Sequence, residues 1–188
     1  MIMSTSDIKP WKTLSSEVVL ETPTYKLRKD TCLLPDGIII HDYFVREEQD
    51  IVFIFCVTTG NEVVLVRQYR QGIGQTTLEL PAGYMSRHDH SLEDGARREL
   101  LEETGYGADK CEQWVRWCVS SGTSTNHMVL FYAPAATKIG VPQHTSREFT
   151  ETFLVPLTEI SALLERGEVV DGKHNAAILY TLRKLNVA

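Results

Sequence analysis

From residue 76 to residue 106 the chain runs through a short strand pattern, a Pro81-Ala82-Gly83 turn and a polar loop, then into a helix carrying Glu99, Glu102 and Glu103. No other stretch narrows the fold as much. A strand that stops at proline and glycine and leads into an amphipathic helix calls for a sheet with a helix laid on it. Ser91 suits the N-cap, Asp94 sits three residues on as a variant of the capping box, and Gly105 supplies the stop. Leu92, Ala96 and Leu100 share a stripe expected to face the core, while Glu99 and Glu103 share another face, with Glu102 near its edge. Three carboxylates this close repel one another. A hard divalent cation relieves that repulsion through oxygen ligands, and substrate phosphates complete its shell. A solvated acidic helix face is the plain alternative.

The rest of the chain supplies the sheet. Strand patterns fall at 17–20, 25–34, 38–46, 51–58, 63–69, 114–119, 129–133 and 153–156, and helical ones at 157–165 and 175–185. Pro35-Asp36-Gly37 and Thr59-Gly60-Asn61 are turns that make hairpins of their flanking strands. The sum is a mixed sheet with helices around it, of α+β class, divided into an N-terminal extension, 1–48, and a main domain, 49–188. A net charge of -6, from 25 acidic and 19 basic residues, argues against a duplex nucleic-acid partner but leaves room for a small anion held by local arginines. Cys32, Cys56, Cys111 and Cys118 form no C-x-x-C pair, so a structural zinc site is not expected, and Cys56 reads as a small buried hydrophobe. Residues 1–10 lack an apolar signal core and no run is long enough to span a bilayer, so a cytoplasmic protein without a membrane partner is expected.

The acidic segment resembles the signature of the Nudix hydrolases: a glycine, a loop glutamate, then R-E-apolar-x-E-E-x-G-apolar. Gly83, Arg98, Glu99, Leu100, Glu102, Glu103, Gly105 and Tyr106 match it. Leu78-Glu79-Leu80-Pro81-Ala82-Gly83 resembles the E-L-P-A-G stretch of the ADP-ribose and ADP-sugar pyrophosphatase branch, and residues 65–70 resemble its L-V-x-Q-Y-R strand. The resemblance extends from residue 16 to 186. It implies a Nudix-like α/β/α sandwich with a mixed central sheet, plus N-terminal antiparallel strands. Three departures stand out. The loop from Gly83 to Arg98 is one residue longer than the family pattern and lacks its glutamate; Asp89 and His90 are the two candidates for its place, Asp89 with a shorter reach and His90 poorly suited. Residues 120–126 are similar to the branch's S-P-G-x-S-x-E loop, but Ser121 replaces the proline and Asn126 the glutamate. His174 stands where the branch often has threonine and reads as a helix-start or surface histidine.

The resemblance implies a set of roles. Glu99, Glu103 and the Ala82 carbonyl would hold Mg2+, or Mn2+, with Glu102 close by. Arg70 would grip the substrate phosphates, with Arg67 as a second candidate on the opposite face of an alternating strand. Glu79 would orient the arginines or touch substrate, and Gly122 and Ser124 would form a ligand-facing turn. A glutamate would activate water: Glu151, Glu148 or Glu102. The implied reaction is metal-dependent hydrolysis of the diphosphate bond in a nucleoside diphosphate linked to a second group, with ADP-ribose giving AMP and ribose 5-phosphate. Alternatives are another nucleotide-sugar or dinucleotide pyrophosphatase, and a nucleotide-binding domain of this fold with little or no catalysis. The branch commonly pairs through its N-terminal strands, which implies a homodimer. Trp11 and Tyr25 read as core or interface aromatics.

Overall fold

The structure is a computed structural model and describes residues 8–143 and 149–187. Glu148 therefore lies outside the described residues. The chain divides into two compact units, Met1–Gln49 with Cys118–Asn126, and Asp50–Trp117 with His127–Ala188.

In the first unit β1 (Lys12–Glu21), β2 (Tyr25–Leu33) and β3 (Ile39–Glu48) form an antiparallel sheet in the order β1-β2-β3. β1 is longer than its apolar run, because pairing with β2 from Lys12↔Leu33 to Glu21↔Lys26 sets its length. All of β1 is exposed, Leu14, Val18, Val19 and Leu20 included. Trp11 is 47% exposed and meets the Tyr43 ring edge-on at 5.5 Å, so it is not a core residue. The 118–126 segment is tied to β3. Arg46 N–H donates to the Thr123 carbonyl (2.8 Å), and Thr125 N–H donates to the Arg46 carbonyl (3.0 Å).

The second unit holds β4 (Ile51–Thr58), β5 (Glu62–Arg70), β6 (Gln75–Glu79), β7 (Ala82–Tyr84), α1 (Leu92–Thr104), β8 (Tyr106–Gly107), β9 (Glu112–Cys118), β10 (His127–Lys138), β11 (Thr150–Pro156), α2 (Ile160–Glu165) and α3 (Gly172–Leu185). Its sheet is mixed: β4 and β10 are parallel, while β5 pairs antiparallel with β11, β6 and β4. Alternation on β4 sends Val52, Ile54 and Cys56 to one face, where they meet Ala96 and Leu100 of α1 together with Val129 and Phe131. Phe53 points the other way and meets His174 of α3, their ring centroids 4.7 Å apart. Helices thus cover both faces, as an α/β/α sandwich requires.

The sheet splits where it matters. β4 and β5 are in register only at Val57↔Val63. Beyond that, β5 pairs with β6 from Val66 to Arg70, and β4 pairs with β7 from Ile51 to Phe53. The divergence opens a cleft of about 580 Å³ lined by Ile51 and Phe53 on one side and Arg70 and Glu79 on the other. The strand β7 falls where the sequence reads as turn and loop; it is three residues long and carries no alternating pattern.

Candidate functional site

One wall of the cleft is built from α1 and β7. Ser91 caps the helix by accepting from Asp94 N–H (3.0 Å), and Gly105 ends it in the left-handed region at φ 75°. With α1 so placed, Glu99 rests against the Gly83 backbone: a Cβ on Gly83 would lie 2.2 Å from the Glu99 carboxyl carbon. Glu103 accepts from Ala82 N–H at 3.0 Å. Ala82 pairs with Phe53 between two hydrogen-bonded positions of the ladder, since Pro81 carbonyl takes Ile54 N–H. The N–H and C=O of one strand residue point to the same edge, so the Ala82 carbonyl turns away from β4, the way its N–H does. Two carboxylates and one peptide are thereby gathered.

Arg98 organises the lower part of this wall. Its Nε and one terminal nitrogen donate to the two oxygens of Asp89, both at 2.9 Å; that terminal nitrogen also donates to the Tyr84 carbonyl (3.0 Å), and the second one donates to Glu99 (2.8 Å) and Glu102 (2.9 Å). That uses all five N–H donors of a guanidinium. Asp89 also accepts from Ser86 N–H (2.6 Å), and its side chain is 5% exposed. The Arg98 hydrogen bond, against a smaller effect of burial, holds the Asp89 carboxyl below the usual carboxylate range. The longer loop thus brings Asp89, not His90, onto Arg98.

The opposite wall is held by Glu79. Arg70 grips it with both prongs, Nε to Oε1 at 2.8 Å and a terminal nitrogen to Oε2. Gln68 adds a long contact at 3.4 Å, and His174 Nε2 lies 3.2 Å from Oε2. Burial alone pushes the Glu79 carboxyl up, but the hydrogen bonds from Arg70 and His174, with the charge of Arg70, outweigh it and hold the pKa at about 2. Among the described residues the Arg70 guanidinium donates to no group besides Glu79, and the side chain is 44% exposed at the cleft. His174 is buried, not a surface histidine. The sequence contained the signal: His174, Ala177, Ile178, Thr181 and Leu182 follow helical spacing, and all are buried.

Arg67 and Glu151 lie on the face of β5 and β11 away from Arg70. Arg67 points to the opposite face of β5, stacks over the Phe153 ring at 4.1 Å and faces Glu151 at 3.9 Å. Glu151 belongs to β11 rather than to a loop, in register with Arg67, so alternation turns it from the face that Gln68 and Arg70 share. Gly122 and Ser124 sit in the first unit, where the Gly122 carbonyl accepts from Tyr43 Oη and Ser124 Oγ donates to Asn126 (2.7 Å). Among the described residues no group of three or more His, Cys, Asp and Glu side chains forms a metal cluster by itself. The donor set at α1 and β7 is nonetheless all oxygen, two carboxylates and a backbone carbonyl, which suits a hard cation that shares its shell with phosphate. No helix among the described residues is long and apolar enough to cross a membrane.

The NUDIX domain profile matches residues 47–176, and the nucleoside diphosphate sugar hydrolase N-terminal domain profile matches residues 11–45. The chain belongs to the Nudix family. As a Nudix hydrolase it is an enzyme of a family that generally depends on a divalent metal. It is similar to a methanol dehydrogenase activator of Bacillus methanolicus, 27% identical over 90% of this chain and 91% of that one. It is also similar to an ADP-ribose pyrophosphatase of Bacillus subtilis (strain 168), 29% identical over the same shares. A crystal structure of an ADP compounds hydrolase superposes with a TM-score of 0.82 at 17% identity, covering 97% of both chains, which establishes the Nudix fold.

Proposed function

We propose that this Nudix hydrolase splits a nucleoside diphosphate linked to a second group, with ADP-ribose cut to AMP and ribose 5-phosphate as the leading substrate. The observation that carries the proposal is the cleft itself: Arg70, with donors to spare, lines it together with Glu99. The names of the similar pyrophosphatases support the same substrate class.

In this reading Arg70 binds the diphosphate with the part of its guanidinium that Glu79 leaves uncovered. Glu99, Glu103 and the Ala82 carbonyl hold Mg2+, with Mn2+ a substitute. The cation supplies charge neutralisation at the phosphate oxygens and a lowered water pKa. Glu102 is the base we favour, because it remains on α1 beside the other two carboxylates and is 40% exposed at its side chain. It takes the proton of the water whose oxygen attacks one phosphorus, and the P–O–P bond breaks to give two monophosphates. Glu148 is its rival, while the outward register of Glu151 supports it less. Gly122, Ser124 and Arg67 keep at most a role in substrate recognition. The proposal includes a homodimer formed through the 1–48 extension, supported by the edge strand β1 with Leu14, Val18, Val19 and Leu20 exposed on it, and a cytoplasmic location.

The test is product analysis with ADP-ribose, nucleotide sugars and dinucleotides, each with Mg2+, with Mn2+ and with a chelator. Metal-dependent release of AMP and ribose 5-phosphate, fastest from ADP-ribose, is expected. Faster cleavage of another panel member would reassign the leaving group, and no cleavage by folded protein would reject the substrate class.

A further inference from the structure

The buried histidine beneath Arg70 has no place in the chemistry above, yet its hydrogen bonds are directional. Leu80 N–H donates to His174 Nδ1 at 3.1 Å. A ring nitrogen that accepts carries no proton, so the proton of the neutral ring sits on Nε2. That nitrogen lies 3.2 Å from Glu79 Oε2, the oxygen that also meets the terminal nitrogen of Arg70. Phe53 packs on the ring and the side chain is 3% exposed, so water does not compete for either contact. The order is fixed from the main chain outward: Leu80 sets the tautomer, the tautomer holds Glu79, and Glu79 holds Arg70.

We propose that His174 is a positioning residue, whose Nε2–H pins the Glu79 carboxylate so that the guanidinium of Arg70 is held ready for a diphosphate at the cleft. This rests on the reading that Arg70 meets the diphosphate. A ring that merely filled the core would need neither nitrogen. The present arrangement uses both, and their geometries can be tested apart. Asparagine places an oxygen near the position of Nδ1 and lacks the outer donor. Glutamine places an amide N–H near the position of Nε2.

The experiment compares wild type, His174→Asn and His174→Gln in three measurements. Steady-state hydrolysis of ADP-ribose should show KM raised about tenfold in His174→Asn with kcat within about threefold, because the loss falls on binding held in common by substrate and transition state. His174→Gln should recover most of that KM. Calorimetric binding of inorganic pyrophosphate with Mg2+ should follow the same order without turnover. Nitrogen-15 spectra of histidine-labelled wild type should show His174 with a bare Nδ1 and a protonated Nε2 at pH 7.

Equal KM and equal pyrophosphate affinity in all three proteins would overturn the proposal. So would variants impaired alike, or an Nδ1-protonated ring. Should wild type cleave no nucleoside diphosphate, the substrate reading fails by itself. The pyrophosphate series then still decides the role of His174: wild-type binding weakened in Asn and regained in Gln upholds it, and absent binding by wild type rejects it.

Discussion

Arg70 and Arg98 stand on opposite walls of the Nudix unit, each gripped through both oxygens of a nearly buried carboxylate, Glu79 for one and Asp89 for the other. From that shared start they diverge. Arg98 spends every N–H on protein and is left 26% exposed at its side chain. Arg70 spends two and is left 44% exposed. A guanidinium with all donors satisfied is a strut, binding loop to helix and setting the spacing of Glu99 and Glu102. One with donors unspent at a cleft is a receptor for an anion. In the proposed reading, the same residue pair thus builds the metal side of the site and the phosphate side. What separates the two roles is how many acceptors the surrounding chain supplies.

Predictions that strain this contrast run from large to small. If α1 carries the metal-binding carboxylates, Glu103→Gln should cut metal-dependent turnover by more than ~100-fold, since even outer-shell changes at metal sites cost up to about that much; a chelator-controlled product assay reads this. If Arg98 is a strut, Asp89→Ala should be felt in stability. Loss of its partner is expected to cost about 2 kcal/mol, discounted from a fully buried pair, and to lower Tm by ~4–8 °C on thermal unfolding. An unchanged Tm would remove the strut.

The phosphate side has a pH signature. The folded pKa of Glu79, about 2, lies below its ordinary value of 4.5. A depressed carboxylate contributes stability that is fully present above the unfolded pKa and is lost as pH falls through the folded one. Denaturant unfolding between pH 5 and pH 2 should therefore steepen in wild type relative to Glu79→Gln, and parallel curves would refute the grip on Glu79. The smallest effect belongs to Arg67→Ala. On the far face of β5, its loss should leave kcat/KM for ADP-ribose within about threefold, because exposed pairs such as Arg67–Glu151 contribute little.

Much of α1 was legible in the sequence. Ser91, Gly105 and the spacing of Ala96 and Leu100 define α1 before any coordinate, because capping and helical period are local rules. The Arg70 face and the Arg67 face separate by strand alternation alone. What local rules miss comes from pairing between distant segments. β7 is a strand only because β4 lies beside it, and β1 runs from Lys12 to Glu21 only because β2 pairs with it along that length. Glu151 joins β11 through pairing with β5, which turns it toward Arg67. The choice between Asp89 and His90 required the path of the longer loop. His174 is the instructive miss: the sequence reads it as a helix-start or surface histidine, and it does stand at the start of α3, but buried on the stripe it shares with Ala177, Ile178, Thr181 and Leu182.

The most direct test of the account is hydrolysis of ADP-ribose by Arg70→Ala beside wild type, with Tm recorded for both. The account predicts kcat/KM lower by on the order of 10²-fold or more, the scale of losing an electrostatic donor at a phosphate, in a protein that remains folded. Wild-type kinetics in the folded variant would contradict it and move the diphosphate away from this cleft wall.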